Sequence, residues 1–189
     1  MTQPVAQFRV RQKLTMLVNR YTVSAVNPDG GDGQLLAVAQ QKRFAFKEQV
    51  TFYADEDRNQ PVFGFKARQR LDIGATYDVY DAHGQVIGFF RKDAVKSFLR
   101  STWHVGQPNL GEFSGTERNP VVAVLRRFVD ALSFLPYHFD FTAGEHPVMS
   151  VTKKFPAVRD SYLLEVFDRN LDWRLAAAQA VALDALQDR

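Results

Sequence analysis

Apolar and polar residues alternate with period two along most of this chain, the pattern of half-buried strands whose side chains point to opposite faces in turn. The clearest case is Thr76-Tyr77-Asp78-Val79-Tyr80, followed after the turn-forming Asp81-Ala82-His83-Gly84 by a second run to Lys92, which predicts a hairpin over 76–92. Further runs rich in β-branched and aromatic residues predict strands over 50–54, 61–68, 103–107 and 162–167. Gly30-Gly31-Asp32-Gly33 reads as a hairpin turn between two more.

Two segments switch to helical spacing. In 119–135, Asn119 is a good N-cap, Pro120 suits the first helical position and Pro136 ends the run. Val121, Val124, Leu125, Phe128, Leu132 and Leu135 share one stripe, so the expected helix is amphipathic, either packed on a surface or lying on a membrane. In 171–187, capped by Asn170, the run Leu175-Ala176-Ala177-Ala178-Gln179-Ala180-Val181-Ala182-Leu183 is apolar nearly all round. A helix without a polar face has to be surrounded. Asp172, Arg174, Gln179 and Asp184 interrupt it too often for a bilayer span, and its alanines make it thin enough to thread a barrel whose wall supplies the bulky side chains.

The strands also repeat. Phe8-Arg9-Val10-Arg11-Gln12-Lys13-Leu14 returns 57 residues later as Phe65-Lys66-Ala67-Arg68-Gln69-Arg70-Leu71, with cations kept as cations. Each copy leads into a tyrosine strand (Tyr21-Thr22-Val23, then Tyr77-Asp78-Val79), a Gly-containing turn, and an apolar strand opening Gly33-Gln34 or Gly84-Gln85. A fainter copy runs from Tyr137-His138-Phe139-Asp140-Phe141 through a turn at 142–145 into 147–154. The unit is a strand meander used in tandem.

With 189 residues, 46% of them hydrophobic and 16 Phe, the chain can fill one Phe-rich core. One domain over 1–189 is expected, mostly β (α+β by content), with 119–136 as a helical insertion and 171–187 as a central helix. The absence of cysteine excludes a disulfide framework, a thiolate metal site and a Cys nucleophile, and fits a cytoplasmic location. The first residues show no apolar core of a signal peptide, and no run approaches the roughly 20 apolar residues of a membrane span. A formal charge of +3 is mild, so the placement of the cations matters more than their sum.

The tandem meanders, the segment 76–84 running into Gly88-Phe89-Phe90-Arg91-Lys92, and the closing apolar helix resemble the LURP-one-related proteins, which belong with the phospholipid scramblases and the tubby C-terminal domain. The resemblance covers nearly the whole chain and implies a closed antiparallel β-barrel of about twelve strands around a buried C-terminal helix. Tubby domains bind phosphoinositides through basic side chains, and scramblases are linked to calcium and membranes. The cysteine-rich palmitoylation segment of scramblases has no counterpart here, and their calcium-binding stretch matches no residues of this chain.

The cations are the main candidate chemistry. Alternate strand residues share a face about 7 Å apart, so Arg9, Arg11 and Lys13 form one row and Lys66, Arg68 and Arg70 another. Like charges in a row call for carboxylates or a bound anion. Asp72, Asp78 and Asp81 are near enough in sequence to supply the first, and the Arg fork suits phosphate. A second set, Lys42 and Arg43, Arg91 and Lys92, and Lys153 and Lys154, reads either as one rim of a barrel or as charges that blunt strand ends.

Other chemistry is excluded. Asp55-Glu56-Asp57-Arg58-Asn59 opens like a calcium loop, but Gln60 stands where Gly is required and Lys66 where the bidentate Glu belongs, so it reads as a polar turn. His83, His104, His138 and His146 lack metal-ligand spacing, and neither a nucleophile elbow nor a phosphate loop occurs. The expectation is a non-enzymatic module without cofactor that binds an anionic ligand, such as a phospholipid headgroup at the inner membrane face, through these cations. The alternative is a structural or protein-interaction domain using helix 119–135 or a strand edge. Nucleic acid is disfavoured because the rows lack interleaved aromatics.

Overall fold

A computed structural model describes residues 6–14, 18–42, 49–68, 75–93, 101–118, 138–154 and 161–186. Twelve strands follow one another: β1 (Ala6–Leu14), β2 (Val18–Val26), β3 (Asp32–Lys42), β4 (Gln49–Tyr53), β5 (Pro61–Ala67), β6 (Thr76–Asp81), β7 (Val86–Lys92), β8 (Thr102–Gln107), β9 (Gly111–Glu117), β10 (His138–Ala143), β11 (His146–Lys154) and β12 (Ser161–Val166). Each pairs antiparallel with the next, and β1 pairs with β12 from Ala6↔Val166 to Arg11↔Ser161, closing the barrel. The helix α1 (Trp173–Leu186) packs on β12, β7, β1 and β5, strands on different sides of the ring, so it lies inside.

The four strands expected over 50–54, 61–68, 103–107 and 162–167 fall within one residue of β4, β5, β8 and β12. Two local expectations need correction. Gly30-Gly31-Asp32-Gly33 is not all turn: Gly30, at φ +80°, closes the bend on Asn27, while Asp32 and Gly33 already belong to β3. The cap of α1 is Asp172, whose Oδ1 accepts the Arg174 N–H at 2.9 Å. Asn170 instead joins a turn on Asp168, and Gln107 pins the chain between them by donating to the Asn170 carbonyl and accepting the Asp172 N–H. Strand β9, Gly-rich and weak in β formers, had no expectation at all. The expected helix 119–135, with its insertion to 136, lies outside the described residues.

The repeat has a structural form. Copies β1 and β5 stand four strands apart in a ring of twelve, and the fainter copy, β10–β11, holds the place after β9 that β2–β3 and β6–β7 hold after β1 and β5. Arg68 follows β5, donates its backbone N–H to the Thr76 carbonyl and clasps Asp78 in β6; Arg118 follows β9, donates to the His138 carbonyl and clasps Asp140 in β10. The same contacts recur at the same positions of successive four-strand units.

Inward positions of the wall carry the bulk. From β4 to β8 six of them are aromatic: Phe52 stacks on Phe63 at 4.2 Å, and Phe65, Tyr77, Phe90 and Trp103 continue the chain of ring contacts. The helix supplies the complement, residues 175–183 being fully buried with five alanines among them. Opposite Leu175 the wall is glycine: a Cβ at Gly88 would stand 2.6 Å from Leu175 Cδ2. An alanine-rich helix inside a Phe-rich wall is how these two compositions reach close packing.

Candidate functional site

Strand direction sorts the charges. In an up-and-down barrel the odd-numbered strands all end on one side, and here each of the six ends in a cation or has one within a residue of its end: Lys13, Lys42, Lys66 with Arg68, Arg91 with Lys92, Arg118, and Lys153 with Lys154. The opposite side carries the turns 27–31, 54–60, 82–85, 108–110, 144–145 and 167–172. These hold Asp29, Asp55, Glu56, Asp57, Glu145, Asp168 and Asp172 against only Arg58 and Arg169. Among the described residues the barrel thus has a mainly basic end, where Asp93 and Glu117 are also placed, and an acidic turn end. Of the strand-end pairs, Lys42, Arg91 with Lys92, and Lys153 with Lys154 stand on the basic side.

The two rows do not converge, since β1 and β5 lie a third of the ring apart. Nor are they free. Arg9 and Arg11 each reach one oxygen of Asp32 at 2.5 Å, and Arg9 also donates to the Gly30 carbonyl at 2.9 Å. Arg68 holds Asp78 at 2.7 Å and lies 5.3 Å over the Phe89 ring, its guanidinium pKa raised chiefly by the Asp78 hydrogen bond. Arg91 takes Glu112 at 3.0 Å. Asp78 serves as expected, whereas Asp81 accepts the N–H groups of His83 and Gln85 in its own turn. Arg70, Asp72 and Arg43 lie outside the described residues.

Parity separates the paired lysines. Phe90 faces the interior, so Lys92, two residues on and opposite buried Trp103, is on the inner face, while Arg91 is on the outer one. Val151 likewise faces in, and Lys153 follows it, with Nζ 5.7 Å over the ring of buried Tyr162. Lys154 occupies the last register position of β11, opposite Ser161. Lys13 and Lys66 are exposed and, among the described residues, have no hydrogen-bond or ion-pair partner. Lys13 even stands opposite another cation, Arg20.

Two clusters on the outer wall escaped the sequence. His104 sits between Asp93 at 3.3 Å and Glu112 at 3.1 Å. His138 accepts or donates to Thr152 Oγ1 at 2.6 Å and Asp140 at 2.8 Å, beneath Arg118. The second has the order of a hydroxyl–imidazole–carboxylate relay, but it lies on the outer face of a β-sheet wall, and cross-strand pairing of His138 with Thr152 alone accounts for it. The period-two spacing of His138 and Asp140 was the visible signal; Thr152 was not, because register is tertiary. Among the described residues no cluster of His, Asp or Glu fits a metal, and no helix is long and apolar enough to cross a membrane.

The LURP-one-related family model matches residues 35–184, from within β3 to the last turn of the central helix. The chain belongs to that family. This LURP-one-related barrel extends beyond the match, because β1 and β2 precede residue 35 and yet complete the ring, β1 against β12 and β2 against β3. No match is found among curated proteins.

Proposed function

We propose that this LURP-one-related protein is a non-enzymatic binding module that recognises an anionic ligand, a phospholipid headgroup at a membrane surface, with the basic end of its barrel. The carrying observation is that each of the six odd-numbered strands has a cation at, or within one residue of, its end on one side of the barrel, while acidic turns occupy the other side. Such a charge distribution orients the molecule towards a negative surface, and each Lys or Arg brought near anionic lipid contributes about 1 kcal/mol. Lys13 and Lys66 are the contacts of choice, being exposed and uncommitted, with Lys154 at the same rim. Arg9, Arg11, Arg68 and Arg91 have carboxylate partners and serve the wall first.

Co-sedimentation with phosphatidylserine-containing vesicles at low salt should show binding that neutral phosphatidylcholine vesicles lack and that about 0.5 M salt abolishes. The double variant Lys13→Glu, Lys66→Glu should bind less while melting like the parent. Equal, negligible binding to both vesicle types would sink the proposal.

A second reading, a protein-interaction domain, has one observation in its favour. β3 has eleven residues but pairs with β4 only at Val38 and Ala39, so 32–37 has an open side among the described residues. Light scattering and capture of a specific partner that Leu36→Pro abolishes would favour it.

A further inference from the structure

At the turn end, where α1 enters the wall, lies a cleft of about 600 Å³. Phe8, Val62, Val166, Leu171 and Trp173 line it. Trp173 is half-buried, stacked on Phe8 at 6.0 Å and 26°, and takes Phe63 edge-on at 5.5 Å, so the indole is held in place by other rings. A concave, largely apolar surface of this size with a few polar groups at its margin is what small-molecule sites have in common.

Ala6 and four charged residues complete the lining, and the charged ones are not equivalent. Asp172 caps the helix and is held by Arg174 at 2.6 Å. Asp168 accepts both the backbone and the side-chain N–H of Asn170, at 2.8 and 3.1 Å. Arg169 is exposed and, among the described residues, makes no hydrogen bond or ion pair. The carboxylates have their donors; one guanidinium fork is left without an acceptor.

We infer that this cleft binds a small amphipathic carboxylate, an aryl or medium-chain acyl acid, with its body against Phe8 and Trp173 and its head on Arg169. The ring faces and the branched side chains of Val62 and Val166 take apolar area, and the fork takes two oxygens at once. The site lies at the end of the barrel opposite the basic rim, so the two can fail separately.

The test compares octanoate, octanol and octylamine, one chain with three headgroups, by intrinsic fluorescence. Trp173 reports from the cleft while Trp103 is fully buried in the wall. Octanoate should bind about tenfold or more tightly than the other two, the scale of a charge-assisted hydrogen bond. Arg169→Gln should erase that preference with no change in melting midpoint, and Lys66→Glu should leave it intact. Equal affinity for all three headgroups, a preference that survives Arg169→Gln, or no fluorescence response below millimolar concentration would each overturn the inference.

Discussion

Arg118 clasps Asp140 with both arms of its guanidinium, Nε and Nη2 each 2.8 Å from a carboxylate oxygen. Burial, the largest single influence, pushes the Asp140 carboxyl up, but the hydrogen bonds and charges of Arg118 and His138 together outweigh it and leave the value below the usual 3.8. Asp81 is also lowered, first by the Gln85 backbone N–H and then by that of His83. A carboxyl with a depressed folded-state pKa stabilises the fold above its unfolded value and loses that contribution as pH falls through the folded one. Stability should therefore decline from about pH 4 downwards. Asp140→Asn should make that acid limb shallower and cost at most about 1 kcal/mol near neutrality, because the pair is exposed. Urea midpoints from neutral to acid pH measure it; superimposable acid limbs would remove Asp140 from the effect.

Asp184 fastens the far end of α1. Its carboxylate accepts the hydroxyl of Tyr21 at 3.0 Å and that of Tyr162, joining β2 and β12 to the helix, and Gln12 donates to Tyr21 in turn. An acid in the last turn opposes the helix dipole, so these donors have to compensate. Asp184→Ala removes the acceptor that the two buried hydroxyls share and should cost about 2–3 kcal/mol; Asp184→Asn should cost less. Chemical denaturation decides, and an Asp184→Ala protein as stable as the parent would show that the tyrosines find other partners.

Gln179 is fully buried in an alanine-rich stretch of the helix, and among the described residues neither its Oε1 nor its Nε2 has a hydrogen-bond partner. An unpaired buried amide costs about 1–3 kcal/mol. Gln179→Met, similar in length and apolar, should raise stability by about 1–2 kcal/mol. A fall in the melting midpoint would reveal an internal partner for the amide.

Gly88 is a spacer. Its missing Cβ would fall 2.6 Å from both Leu175 Cδ2 and the Gly106 carbonyl oxygen. Gly88→Ala should cost about 1–3 kcal/mol by overpacking, and Leu175→Ala in the same chain should not restore it, because the Gly106 backbone cannot retreat. Full rescue in a thermal-denaturation double-mutant cycle would place the whole clash on Leu175.

Local chemistry was enough to reveal the strands, the tandem repeat and the buried helix. Alternation, turn residues and an all-round apolar run act over a few neighbours, and 76–92, 50–54 and the alanines of 175–183 carry them plainly. Strand β9 was silent because Gly111-Glu112-Phe113-Ser114-Gly115 has little β propensity, and Gly115 is explained only by the Phe141 ring that covers it from β10. The fate of the cations was equally hidden. Phe89 and Phe90 are both apolar, so the pattern cannot say whether Arg91 or Lys92 faces in; closure of the ring, with Phe90 against Tyr77 and Trp103, decides it. Arg9 and Arg11 looked available for a ligand until β3 brought Asp32 across β2 to both. Charge is written along the chain, but which charges remain unsatisfied depends on register and closure, and these exist only when distant strands meet.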